Sequence, residues 1–327
     1  MRDDFGVIVT CCSGDYMFAK GCCASLRYFM GDIPICVLAD GQFSLENLPQ
    51  LYGAKILRRA NVQDPFLRSK SFGWGITKMV ALWESPFEYF LLLDADTIVW
   101  GDVRKFAAFD KYDAILHDHG AWTAQQINQW FFKIDALKKF FPKFRLQSAG
   151  YANSGAMFLR RGIFDIKEYQ EIRSFNNTHP GVFFPGEQGF LNFMLFNAKE
   201  QGRVRVDNKV IQYLVADHDI EEAQNKFAFT HGTPIVNGEP TVLHWSGMKP
   251  FARSHVPKYI EPMTFFRSKY LSDLGLTSSK KIEQQLLWEE KKMEVLQLIA
   301  GMIGRLKKSL KSLLATLKSK NIPSFLR

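Results

Sequence analysis

The sequence predicts an α/β fold, a mixed sheet flanked by helices, and three observations carry that expectation. Short apolar runs alternate with segments of helical spacing through the first part of the chain, the pattern of βαβ units and a parallel sheet. Residues 89–93 (Tyr-Phe-Leu-Leu-Leu) are apolar or aromatic without a polar break, as in a strand buried on both faces. From about Lys280 the composition changes to a long, basic, helix-forming stretch. This divides the chain into a body, residues 1–279, and a C-terminal amphipathic helical tail, residues 280–327.

Taken in order, Phe5–Cys12 reads as a first buried strand, Ser13-Gly14-Asp15 as a turn and Tyr16–Met30 as a helix. Residues 33–39 form a second apolar run, 44–51 a helix and 54–57 a third strand. A helix is expected over 76–84, stopped by Pro86, just ahead of the strand at 89–93. Residues 112–116 read as another short strand. The aromatic and basic stretch 120–150 has no clear period and is expected to be a helical or loop excursion over the cleft. Strand character returns at 151–160, and helices are expected at 163–175 and 187–197. Residues 203–260 read as irregular, with short strands at 204–206 and 241–243.

Composition narrows the function. The net charge is +9, but residues 280–327 hold eleven Lys/Arg and four Glu, so +7 lies there and +2 remains for the body. A nearly neutral body argues against a nucleic-acid partner. The five cysteines (11, 12, 22, 23 and 36) are odd in number and contain no CxxC, which reads as reduced thiols in a cytosolic protein. The chain starts without a basic-then-apolar signal, and no run of eighteen apolar residues is present.

The chemistry is expected at the end of the 89–93 strand. Period-two alternation would turn Asp94 and Asp96 to one side. Two close carboxylates at a buried strand end repel and lose solvation. A divalent cation with a phosphate relieves both, since hard oxygens suit Mg²⁺ or Mn²⁺. Ligands also sit at the carboxyl ends of strands in open α/β sheets. Other polar groups recur at element ends: Thr10, Asp15 and Tyr16 after the first strand, Lys78 before the Asp94 strand, and Asn153-Ser154-Gly155 inside an apolar run. Pro185-Gly186-Glu187-Gln188 opens a helix, and His244-Trp245-Ser246-Gly247-Met248-Lys249-Pro250 follows a strand. His117-Asp118-His119 reads as a polar strand end rather than a metal site.

These motifs, in this order, resemble the family 8 retaining glycosyltransferases, the group that includes glycogenin and bacterial lipooligosaccharide galactosyltransferases. The resemblance runs through residues 5–250. It rests on Ile76-Thr77-Lys78, on Leu91–Val99 with its Asp-Ala-Asp, on Asn153-Ser154-Gly155, on Glu187 to Asn192, and on His244 to Pro250. Two features depart from the family pattern: Glu187 stands where Asp is usual, and one residue rather than two separates Gly247 from Lys249. The resemblance implies a GT-A type, Rossmann-like mixed sheet and a UDP-sugar donor. Asp94, Asp96 and His244 would hold Mn²⁺ (or Mg²⁺). Thr10, Asp15 and Tyr16 would form the uridine pocket, with Lys78, Asp94 and Lys249 at the nucleotide phosphates. Lys78, Asn153, Ser154, Gln188 and Gly247 would face the donor sugar. Gln188 and Glu187 would be the catalytic pair, with front-face attack favoured over a Glu187 nucleophile. Trp122, Trp130, Phe183 and Phe184 are open to two readings, core packing or stacking on an acceptor sugar. The implied activity is hexosyl transfer to a glycan or lipid-linked acceptor in cell-surface polysaccharide or lipopolysaccharide synthesis. Two rival readings stand beside it: a catalytically silent sugar-nucleotide fold serving as an assembly partner, and a nucleotidyltransferase of related fold.

The tail carries Leu296, Ile299, Ile303, Leu306, Leu310, Leu313 and Leu317 at alternating spacings of three and four. Gly301 and Gly304 would weaken a rigid coiled-coil seam, and from residue 300 onward there are seven basic residues and no acidic one. A coiled-coil oligomer would bring these like charges together, whereas an anionic membrane surface attracts them. The expectation is an interfacial helix holding a cytoplasmic enzyme at the inner face of a membrane, with oligomerisation as the alternative.

Overall fold

The computed structural model describes residues 4–45, 47–251 and 259–320. Two compact units divide the chain, Met1–Gly275 and Leu276–Arg327.

The first unit is α/β throughout. Its strands are β1 (Phe5–Cys12), β2 (Ile35–Asp40), β3 (Lys55–Arg58), β4 (Tyr89–Asp94), β5 (Thr97–Trp100), β6 (Ala114–His117), β7 (Ala156–Arg160), β8 (Val206–Lys209), β9 (Gln212–Leu214), β10 (Phe229–Thr230), β11 (Thr233–Pro234) and β12 (Thr241–His244). Its helices are α1 (Tyr16–Met30), α2 (Asn47–Tyr52), α3 (Pro65–Lys70), α4 (Ala81–Glu84), α5 (Ala124–Trp130), α6 (Ile134–Phe140), α7 (Ile166–Thr178), α8 (Gln188–Glu200), α9 (Ile220–Lys226) and α10 (Glu261–Asp273). A seven-stranded sheet runs β3-β2-β1-β4-β7-β6-β8, and a smaller one runs β5-β12-β9. In the large sheet β1 to β4 are parallel, while β7 is antiparallel to both β4 and β6. The sheet is therefore mixed, and its parallel half ends at β4.

Burial explains why these residues take these forms. Phe90, Leu91, Leu92 and Leu93 are at most 1% exposed, and Val7, Ile8 and Val9 beside them are fully buried. These central strands are covered on both faces, so their sequences run apolar instead of alternating. One face packs on an aromatic-rich core that includes Phe131, Phe132, Phe144, Phe183, Phe190 and Phe193. Trp122 packs against that core, so for Trp122 and Phe183 core packing holds. The stretch 120–150 does supply helices, α5 and α6. On another layer α1 meets α10 closely enough that a Cβ on Gly21 would lie 2.8 Å from Met263 Sδ.

Several expectations need correction. The 89–93 strand ends where expected, but Asp96 is not in extended backbone, so period-two alternation is not what brings it beside Asp94. β4 ends at Asp94, Ala95-Asp96 form a turn, and Thr97 starts β5 in the other sheet. The Thr97 hydroxyl stabilises that reversal by donating to the Asp94 carbonyl at 2.7 Å. Residues 76–80 are a 3₁₀ segment, with only Ala81–Glu84 α-helical. Gly75 at φ +80° precedes it, and β-branched Ile76, Thr77 and Val80 crowd a helix. Strand β7 begins at Ala156 rather than 151, because residues 151–154 turn aside to serve the cleft. The region after 203 holds more order than expected, with β8, β9, β10, β11 and α9.

The second unit contains α11 (Ser279–Lys320), a 42-residue helix. Val295, Leu296, Leu298, Ile299, Met302 and Leu306 on it are exposed. No helix among the described residues is long and apolar enough to cross a membrane.

Candidate active site

Strand register builds the site. The parallel β1–β4 pairing sets Thr10 opposite Asp94, and the antiparallel β12–β5 pairing sets His244 opposite Thr97, one residue past Asp96. Asp94, Asp96 and His244 thereby converge, each offering a ligand atom, all within 4.8 Å of one another. His244 Nε2 stands 3.7 Å from Asp94 Oδ2 and 3.9 Å from Asp96 Oδ1. This is the one group of three or more potential metal ligands among the described residues. His117 and His119 form no such group; the His117 Nδ1 accepts from the backbone N–H of Ile211 and Gln212 at 3.2 Å each.

A network of charge surrounds the triad. The Lys78 ammonium sits 2.7 Å from Asp94 and 3.1 Å from Glu187, and donates to the Ser154 hydroxyl at 2.9 Å. Lys249 bridges Asp96 at 3.0 Å and Asp15 at 2.9 Å. Among the described residues, four carboxylates (Asp15, Asp94, Asp96 and Glu187) thus share two ammonium groups, a negative excess that favours a divalent cation. Burial works against ionisation of Asp94, but Lys78 first, with Lys249 further off, holds its pKa below the usual carboxylate range. Burial also opposes both lysine charges, yet the adjoining carboxylates keep each pKa above the ordinary lysine value. The His244 pKa is pushed down by burial, against the pull of Asp96 and Asp94. Its imidazole is therefore neutral, the form that binds a metal. Oxygen ligands with one imidazole suit Mn²⁺ or Mg²⁺.

Glycines leave space for this packing. A Cβ on Gly155 would overlap the His244 ring, and one on Gly75 would overlap Glu187 Oε2. Asn192 of α8 ties the 151–154 stretch in place, accepting from the Ala152 N–H at 2.6 Å and donating to the Ala152 and Gln188 carbonyls. Ser154 donates to Glu187, so that carboxylate, 5% exposed, is held from two sides.

The surrounding cleft measures about 490 Å³, within the usual range for small-molecule sites. Thr10, Asp15, Lys78, Asp94, Asn153, Ser154, Glu187, Gln188, His244, Gly247 and Lys249 all line it. Lys249 reaches the site despite the shortened spacing after Gly247. Asp96 lies beneath, 5% exposed. Tyr16 stands outside the lining, its ring tilted on Phe43 at 5.7 Å with the Lys20 ammonium 4.9 Å from it.

Two residues with evident work here are absent from the sequence reading. Gln212 is 3% exposed. Its amide nitrogen donates to the carbonyls of Ala156 at 3.2 Å and Asn153 at 3.4 Å, so its oxygen faces His244 Nδ1 at 3.0 Å. That orientation places the imidazole proton on Nδ1 and leaves Nε2 for the carboxylate side. Asp40, at the end of β2, accepts from the Gly73 N–H and the Thr77 hydroxyl, both at 3.0 Å. The available signal for Gln212 was a polar residue between Ile211 and Tyr213; Asp40 offered none beyond its strand-end position.

Among solved structures, the chain is similar to the galactosyltransferase LgtC in complex with donor and acceptor sugar analogs. The TM-score is 0.54 at 14% identity, over 81% of this chain and 95% of that one. The fold is that of the GT-A glycosyltransferases. An active-site mutant of LgtC matches over the same shares with a TM-score of 0.53 at 14% identity. The bifunctional glycosyltransferase WbbM, in its apo form, matches with a TM-score of 0.50 at 11% identity, over 84% of this chain and 52% of that one. No protein-family model matches the sequence, and no curated protein does.

Proposed function

We propose that the chain is a metal-dependent retaining glycosyltransferase of the family 8 type. It would move a hexose from a UDP-sugar to a glycan or lipid-linked acceptor, in cell-surface polysaccharide or lipopolysaccharide synthesis. The observation that carries this reading is the Asp94–Asp96–His244 triad at the strand ends of a GT-A fold, inside a cleft crossed by Lys78 and Lys249. The solved relative LgtC was studied with donor and acceptor sugar analogs, which supports the same two substrate classes here.

Asp94, Asp96 and His244 would hold Mn²⁺ or Mg²⁺, which would supply charge stabilisation at the donor diphosphate. The chain's own contribution starts with the two lysines, which add fixed positive charge where the leaving group becomes more negative. Thr10 on β1 and Asp15 immediately before α1, with Tyr16 beside them, are assigned to the uridine. Asn153, Ser154, Gln188 and Gly247 are assigned to the transferred sugar. In the transfer, the bond from the anomeric carbon to the phosphate oxygen breaks and a bond to the acceptor hydroxyl forms on the same face. The acceptor's proton passes to the departing phosphate. Glu187 is less suited to act as a nucleophile, because Lys78 and Ser154 already engage its carboxylate; its place is to fix Lys78. Gln188, the first residue of α8, supports the charge developing on the sugar.

The basic, apolar-striped tail supports a further part of the proposal, attachment at the inner face of a membrane where a lipid-linked acceptor would lie. Calorimetric titration of the full chain with UDP tests the nucleotide and metal assignments together. Binding should require Mn²⁺, and Asp96→Ala should weaken it by at least about tenfold. UDP binding that is unaffected by EDTA and by Asp96→Ala would remove the metal assignment.

A further inference from the structure

The loop Gly73-Trp74-Gly75 has positive φ at all three residues, +110°, +27° and +80°. For a bulky residue such as Trp74 this is a strained conformation that persists only when its surroundings impose it. They do so on both sides. The Gly73 N–H is held by Asp40 and by the Thr77 hydroxyl, and Gly75 lies against Glu187 with no space for a side chain. The outcome is an indole that is 70% exposed. A strained loop tied to the catalytic network thus holds a large aromatic ring out into solvent.

That ring is not isolated. Trp74 lies 6.4 Å from Phe184, tilted by 41°, and Phe184 lies 5.9 Å from Trp130, tilted by 57°. Trp130 ends α5 and is 43% exposed. Trp74 and Phe184 line the same cleft as Glu187 and Gln188. A Cβ on Gly186, the residue before Glu187, would come within 3.8 Å of the Trp74 ring.

We propose that Trp74, Phe184 and Trp130 form a stacking platform for a pyranose ring of the acceptor, an inference that rests on the glycosyltransferase reading above. The composition of the cleft selects this occupant. Among the residues lining it there is no Leu, Ile, Val or Met; its apolar surface is aromatic, with Pro185 and small residues. Aromatic faces next to polar groups suit the C–H face of a pyranose, whose hydroxyls need partners around its edge. An acyl chain needs a continuous aliphatic wall, which this cleft does not supply. Stacking on the platform would bring a sugar beside residues 186–188, where the donor sugar is assigned.

The test uses the full chain with a panel of soluble probes: methyl α- and β-hexopyranosides, lactose, maltose and cellobiose, with octyl sulfate as the acyl control. Tryptophan fluorescence should respond saturably to at least one saccharide, and Trp74→Ala and Trp130→Ala should each reduce that response. Where a probe accepts sugar, Trp74→Ala should raise its KM by about tenfold or more while the donor KM moves by less than about twofold. Trp74→Phe should recover most of the loss, because it keeps an aromatic face. The proposal is overturned if no saccharide changes the fluorescence, if Trp74→Ala leaves the acceptor KM unchanged, or if octyl sulfate alone saturates the site. A wild-type chain that cleaves no UDP-sugar would instead count against the glycosyltransferase reading; the fluorescence titration would still decide whether the platform receives a pyranose.

Discussion

Gln212 and His244 show how single residues set the chemistry. Two backbone carbonyls fix the Gln212 amide, which fixes the His244 tautomer, which aims Nε2 at two carboxylates. Gln212→Leu should remove the last constraint while keeping comparable bulk. Affinity for Mn²⁺, read from the free-ion electron paramagnetic resonance signal, should fall by about ten- to a hundredfold. Unchanged affinity would show that packing alone orients His244. Gln188→Ala should lower turnover far more than it raises the donor KM, since its assigned contact strengthens in the transition state; steady-state kinetics with the donor checks this, and an unchanged kcat would remove the residue from the machinery. The two aspartates were legible in the sequence because close carboxylates at a buried strand end need a cation; His244 as their partner was implied only by the family resemblance, since its place beside Asp96 comes from the β12–β5 pairing. Gln212 was not legible, because its value depends on Asn153 and Ala156, which lie more than fifty positions away and meet it only through the fold. Trp74 was likewise invisible, as its exposure and its φ depend also on Asp40 and Glu187, which lie far from it in the chain and hold the flanking Gly73 and Gly75.

At the scale of elements, the buried central strands were readable directly. β1 and α1 lie where apolar runs and helical spacing put them, because continuous burial leaves a continuous apolar record. The short elements were harder. β9, β10 and β11 have two or three residues each, too few to show a period, and they exist through pairing and tertiary burial. One of these junctions should respond to pH. His117 at the end of β6 accepts two backbone N–H groups at Nδ1, and burial pushes its pKa from 6.5 down to about 4. Because the folded value is the lower one, this stabilisation is complete above about pH 6.5 and is lost as pH falls toward 4. At its full extent it amounts to about 3 kcal/mol. Urea unfolding at pH 7, 5.5 and 4.5 should show a falling midpoint, with a shallower decline in His117→Asn. His119 and His244 shift in the same direction, so the slope should decrease without vanishing. An identical slope in the variant would mean that His117 is not protonated selectively on unfolding.

For the whole molecule, the uneven charge and the change of composition near residue 280 are properties of the sequence itself. The long helix α11 follows from them, but what it meets is not written in periodicity, since an apolar stripe serves a membrane or a second helix equally. Chain deletion separates the two. Removing residues 280–327 should abolish sedimentation with anionic liposomes at low salt and leave UDP binding intact. If the full chain ignores such liposomes, or if deletion only converts a dimer to a monomer in light scattering, the tail is an assembly helix. The central claim, a metal-dependent transferase acting on a UDP-sugar, is tested most directly by donor cleavage. The purified chain, incubated with individual UDP-sugars and Mn²⁺, should slowly release UDP from at least one of them; EDTA should stop the release, and Asp96→Ala should lower it by orders of magnitude. Release that continues undiminished in excess EDTA and in Asp96→Ala, or no release and no binding with any UDP-sugar, would contradict it.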